Sequence, residues 1–120
     1  MIKICYHYSM IIHASKNHYI FNPQISDMDY NAVRAIEGFI LSNQLDKPLA
    51  IDLQQVKTCC RELFELLNKS KRKLFLINVP SEIYTMINLL EYDKNTGVFV
   101  SELDLEENKR ELKNRKFAIV

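Results

Sequence analysis

The chain has 120 residues, 48% of them hydrophobic, with 16 basic and 15 acidic side chains and a formal net charge of +1. That length suits one domain, and the apolar share is enough for a real core, so residues 1–120 are expected to form a single α/β unit. The near-neutral balance supplies no long-range field for nucleic acid or an anionic membrane, and no apolar run approaches the ~20 residues of a membrane span.

Ile2 to Tyr8 alternates apolar and polar residues and predicts a strand with Ile2, Ile4, Tyr6 and Tyr8 on one face. It lacks the continuous apolar stretch and small-residue cleavage site of a signal peptide. Met10 to His13 either continues this strand or begins a new edge. Lys16-Asn17 reads as a turn, and His18 to Asn22 as the returning strand of a hairpin that Pro23 ends. Ser26-Asp27 or Asp29 caps a helix through about Ser42, whose buried stripe is Ala32, Val33, Ile36, Phe39 and Ile40. Asn43 to Lys47 is a polar turn. Pro48 to Leu53 is a nearly all-apolar strand, the kind buried on both faces.

A short helix follows from about Cys59 to Lys69, carrying Leu63, Phe64, Leu66 and Leu67. Lys73 to Val79 reads as a strand. Pro80 suits the first turn of a helix with Ile83, Met86, Ile87 and Leu90 inside. After Gly97, Val98 to Val100 forms a strand and Ser101 caps a charged helix with a thin stripe of Leu103, Leu105 and Leu112. Lys116 to Val120 reads as a terminal strand. Alternation of strands and helices after a hairpin implies one mixed sheet of four to six strands, about four helices and right-handed crossovers.

Few residues suggest chemistry. With only Gly38 and Gly97 there is no phosphate-cradling glycine loop. His7, His13, His18, Cys5, Cys59 and Cys60 follow no metal-ligand spacing, so neither a metal nor a cofactor is expected. Three cysteines, one pair adjacent, make a poor disulfide framework and point to a reducing, cytoplasmic setting. Lys69 to Lys73 reads as cations gathered at a helix C-terminus, and no aromatic platform makes it a nucleic-acid patch. Glu102, Asp104, Glu106 and Glu107 read as a solvated face in the first turns of the last helix. The sharpest enzyme alternative is a redox sensor or small thiol enzyme using Cys59 or Cys60, where a helix N-terminus and Arg61 would lower the thiol pKa.

Three segments resemble the STAS family (sulphate transporter and anti-sigma factor antagonist), bacterial regulatory modules. Leu49-Ala50-Ile51-Asp52-Leu53-Gln54-Gln55-Val56 is similar to the family's strand ending in Asp-Leu-x-x-Val. Lys73 to Val79 with Pro80-Ser81-Glu82, and Ile83 to Tyr92 with Val98 to Val100, resemble its next strand, helix and final strand. The likeness covers roughly residues 18 to 112. Where typical members carry Asp-Ser-Ser-Gly with the phosphorylated hydroxyl, this chain reads Val56-Lys57-Thr58-Cys59-Cys60-Arg61-Glu62-Leu63, and the helix is about two turns shorter.

The resemblance implies a non-catalytic domain that binds a protein, either a kinase-like anti-sigma factor or a transporter subunit, without inserting into a membrane. Its partner-binding loop would be Lys57, Thr58, Cys59, Cys60, Arg61 and Glu62. Thr58, the loop's only hydroxyl, is the candidate phosphoacceptor, and Glu62 a candidate fixed negative charge. A further reading is self-association as a homodimer through the thin-striped last helix.

Overall fold

The computed structural model describes residues 2–5, 9–42, 46–70, 72–89, 96–109 and 111–112. Their elements run β1 (Ile2–Cys5), β2 (Ser9–Ala14), β3 (Tyr19–Pro23), β4 (Asp27–Met28), α1 (Tyr30–Ser42), β5 (Leu49–Asp52), β6 (Thr58–Cys59) and α2 (Arg61–Lys69). β7 (Leu74–Ile77), α3 (Ser81–Leu89), β8 (Gly97–Phe99), α4 (Glu102–Glu106) and β9 (Glu111–Leu112) complete the described order. The fold is mixed α/β, as the alternation of periods predicts.

One sheet runs β1-β2-β3-β5-β7-β8-β9. β1, β2 and β3 form an antiparallel meander, with Ile2 opposite Ile12 and Ile12 opposite Phe21. β3, β5, β7 and β8 are parallel, in register Phe21, Ile51, Leu76, Val98. Six strands of three to six residues carry the sheet, and the two-residue β9 adds an antiparallel edge on β8. Met10 to His13 thus belongs to a separate strand rather than an extension of the first. Tyr6 to Tyr8 and Lys116 to Val120 lie outside the described residues. Among the described residues no helix is long and apolar enough to cross a membrane.

The strand order advances in one direction, and crossovers of one hand then place every intervening helix on the same side. The core shows this. Ala32, Val33, Ile36 and Phe39 of α1, Leu63, Phe64, Leu66 and Leu67 of α2, and Ile83 and Ile87 of α3 share one cluster with Phe21, Leu49, Ile51, Leu74, Leu76 and Val98. Residues of opposite parity, Ile20, Ala50, Ile77 and Phe99, face the other way against Leu105 of α4, with Phe75 at the margin. β5 is buried at all four positions because it pairs on both edges and is covered on both faces.

Local chemistry sets the boundaries. The Ser15 amide donates to the His18 carbonyl (2.7 Å), closing the turn at Lys16-Asn17. Pro23 is the last residue of β3; it pairs only with Met10, past the final rung to β5 at Phe21. Asp29 caps α1 by accepting from the Ala32 amide (2.9 Å), whereas Asp27 goes into β4. Ser101 caps α4 by accepting from the Asp104 amide (3.2 Å).

α4 differs from its expectation. It ends at Glu106 after five residues, Leu105 is buried, Leu103 is 62% exposed, and Leu112 belongs to β9. The three leucines therefore make no common stripe for self-association. The acidic face is solvated only in part, with Glu107 exposed. Asp104 is 4% exposed, and Glu102 and Glu106, one turn apart, reach His13 of β2 (3.2 Å) and His18 (3.1 Å). Burial resists ionisation of Glu106, but hydrogen bonds from Ser15, the Asn17 amide (2.8 Å) and His18 outweigh it and hold the carboxyl below its usual range. These contacts clamp α4 to the amino end of the parallel strands.

Candidate docking surface

At the carboxyl end of β5 the chain turns outward. The Leu53 amide donates to the Ile77 carbonyl (3.1 Å) and the Val56 amide to Leu53 (3.1 Å), while Leu53 and Val56 are fully buried. The apolar pair in Leu53-Gln54-Gln55-Val56 anchors the turn and leaves Gln54 and Gln55 in solvent.

The next residues are pinned rather than loose. The amides of Lys57 and Thr58 both donate to the Ser26 carbonyl (2.7 and 3.1 Å), and the Cys60 amide donates to Met28 (2.9 Å). These bonds make β6 a parallel partner of β4, with Asp27 opposite Thr58 and Met28 opposite Cys59. The Thr58 hydroxyl also donates to Asp27 Oδ1 (2.8 Å). Lys57, Thr58 and Arg61 remain exposed, and Cys59, Cys60 and Glu62 are half-buried. The six consecutive residues singled out from the sequence thus run from beyond β5 into the first turn of α2, three exposed and three half-buried.

α2 starts at Arg61, two residues later than the periodicity suggests, because Cys59 is held in β6. Arg61 Nε meets Glu65 Oε2 one turn on (3.4 Å). Both side chains are exposed, so this pair holds Arg61 by only about 0.3–0.5 kcal/mol. Beyond it, a groove of about 310 Å³ separates α2 from α1, lined by Tyr30, Arg34, Glu37, Glu62, Glu65 and Lys69 among others. Arg34 lies over the Tyr30 ring (5.7 Å) and Lys69 bridges to Glu37 (3.1 Å). The groove passes into a second, about 400 Å³, floored by Ile40, Leu41 and Leu66. Acidic and basic side chains both line it, and Glu37 of α1 pairs with Lys69 of α2.

The thiols move opposite to the expectation from a helix N-terminus. Burial, with the neighbouring Cys60 and Asp27, pushes Cys59 up to about 11. Burial and a hydrogen bond with Glu62 also raise Cys60. Desolvation of a thiolate outweighs the field of a nine-residue helix. Among the described residues no group of three or more His, Cys, Asp or Glu side chains could hold a metal ion. His13 and His18 are each occupied by a glutamate instead.

Two residues of this end of the sheet escape a reading of the sequence. Asp52 is buried, and its Oδ1 accepts from the Gln54 amide (2.9 Å) and from Asn78 Nδ2 (3.1 Å). Asn78 follows β7 with a positive φ of 53°. An acidic residue closing an apolar strand is a visible signal for Asp52; its link to Asn78 depends on strand pairing. No known protein-family model matches this chain, and no curated protein matches it either.

Proposed function

We propose that the chain is a non-catalytic, STAS-like interaction module of bacterial cytoplasm that captures a protein partner, either a kinase-like anti-sigma factor or a subunit of a transporter. The observation that carries this reading is the segment at residues 57–62: Lys57, Thr58 and Arg61 face solvent, yet its backbone is bonded to Ser26 and Met28. A pre-positioned loop loses little entropy on binding, which favours recognition by a rigid surface. Supporting the family reading are the order of an antiparallel meander followed by three strand–helix crossovers and the buried β5 ending in Asp52. Lys57, Arg61 and Glu62 supply the charges that select the partner, and the groove between α1 and α2 extends the contact. Thr58 is the candidate phosphoacceptor of this surface; a phosphate there would face Asp27 and strain β4 from β6.

The test is affinity capture from the native lysate with mass-spectrometric identification. The wild-type chain is expected to retain an anti-sigma factor or a transporter subunit. Arg61→Ala/Glu62→Ala is expected to lose it with an unchanged circular dichroism spectrum. Equal capture by the variant would remove these residues from the interface. The raised thiols argue against the alternative of a cysteine enzyme or redox sensor.

A further inference from the structure

β5, β7 and β8 end side by side, and each passes into a loop: residues 53–57, 78–80 and 100–101. Asp52 and Asn78 connect them. One oxygen of Asp52 serves both the Gln54 amide (2.9 Å) in the first loop and Asn78 Nδ2 (3.1 Å) in the second. The Asn78 amide then donates to the Val100 carbonyl (3.2 Å), reaching the third. At φ 53° a glycine would sit without steric cost, and asparagine is among the side chains that tolerate the region. The residue present is one whose side chain reaches Asp52, which is 8% exposed.

We infer that Asp52 and Asn78 form a positioning tie that fixes where residues 53–60 leave the sheet and couples that segment to the loops after β7 and β8. The tie stands on the hydrogen bonds alone. Its consequence rests on the docking reading: whatever moves Asn78 then moves Lys57 to Glu62, so the proposed partner surface responds to events at the neighbouring loops.

Hydrogen exchange of the isolated full chain tests the tie without any partner, so its outcome is separate from that of the capture experiment. Asn78→Gly keeps the backbone conformation and removes the side-chain bond. It is expected to speed exchange of the amides at 54–60 about tenfold, the effect of one strong hydrogen bond, while Ile51 and Leu76 keep their protection. Asp52→Ala is expected to give the same local pattern without touching Asn78. Asp52→Asn, which retains an acceptor oxygen, is expected to stay within about threefold of wild type. Wild-type protection at 54–60 in both Asn78→Gly and Asp52→Ala would overturn the tie. So would equal acceleration at Ile51 and Leu76, since the pair would then serve only the fold as a whole, or a loss in Asp52→Asn as large as in Asp52→Ala.

Discussion

Glu106 offers the most quantitative check on how this chain holds together, because one carboxyl joins α4 to a turn 88–89 residues earlier. Its side chain is 10% exposed and accepts from the Asn17 amide (2.8 Å), from His18 Nδ1 (3.1 Å) and from Ser15. Glu106→Ala removes the acceptor that all three donors share. Asn17 is exposed and recovers a bond to water, so its loss costs about 0.5 kcal/mol. His18 is 9% exposed, stacked edge-on against Phe75 at 5.1 Å, and its stranded ring nitrogen costs about 1–3 kcal/mol. The sum is about 1.5–3.5 kcal/mol, measured by urea unfolding at pH 7. The sign of the pH dependence follows from the lowered carboxyl pKa. A group whose folded pKa lies below its unfolded value stabilises above the unfolded value and ceases to do so as pH falls through the folded one. The gap between wild type and Glu106→Gln is therefore expected to be full above the ordinary glutamate range and to close below it. A loss under about 0.5 kcal/mol in Glu106→Ala, or a gap to Glu106→Gln unchanged down to pH 3, would refute the clamp.

Other perturbations have equally definite outcomes. Gly97 lies under the Phe75 ring, where an added Cβ would sit 2.6 Å from Cδ1. That ring is bounded by His18 and Phe99, so Gly97→Ala is expected to destabilise by about 1–3 kcal/mol in the same unfolding assay, with part recovered in Gly97→Ala/Phe75→Leu. If Gly97→Ala is neutral, the ring has room the packing denies. With Cys59 pushed up to about 11, roughly one thiol in 10⁴ is ionised at pH 7, so native alkylation of Cys59 should be far slower than in urea. Fast native labelling of Cys59 or Cys60, mapped by peptide mass spectrometry, would revive the thiol reading. Thr58→Val removes the hydrogen bond to Asp27 and is expected to cost about 0.5–1.5 kcal/mol and to speed exchange of the Cys60 amide; unchanged stability and exchange would show β4 and β6 paired by backbone alone.

The parts of the fold legible in the sequence are those where a short pattern carries the physics. Ala32, Val33, Ile36 and Phe39 recur at helical spacing and do line the core, and the nearly all-apolar run after Pro48 does become the buried β5. β4 and β6 were not legible. Two residues each carry no periodicity, and Asp27 meets Thr58 across 31 residues of sequence. The same tertiary event moves the start of α2 from Cys59 to Arg61 and buries the thiol that local reasoning would activate. α4 failed for a related reason. Acids in a first turn satisfy the helix dipole by themselves, so nothing local reveals that Glu102 and Glu106 meet His13 and His18. The hint was a pair of glutamates four apart and two histidines that the hairpin brings to one face, which only the strand register joins. At the candidate surface, the end of an apolar strand is legible in the sequence, and Lys57, Thr58 and Arg61 after it are exposed; the backbone bonds to Ser26 and Met28 and the groove beside α2 depend on tertiary packing.

The proposed docking surface lies at one end of the sheet only. A photo-crosslinking amino acid replacing Lys57 samples the carboxyl end of the parallel strands, and the same residue replacing Lys16, in the turn beside Glu106, samples the amino end. Irradiation in the native lysate is expected to yield one dominant adduct from position 57, lost when Arg61→Ala/Glu62→Ala is added, and none from position 16. Adducts from position 16 alone, or adducts from position 57 that survive the double substitution, would contradict the proposed docking surface.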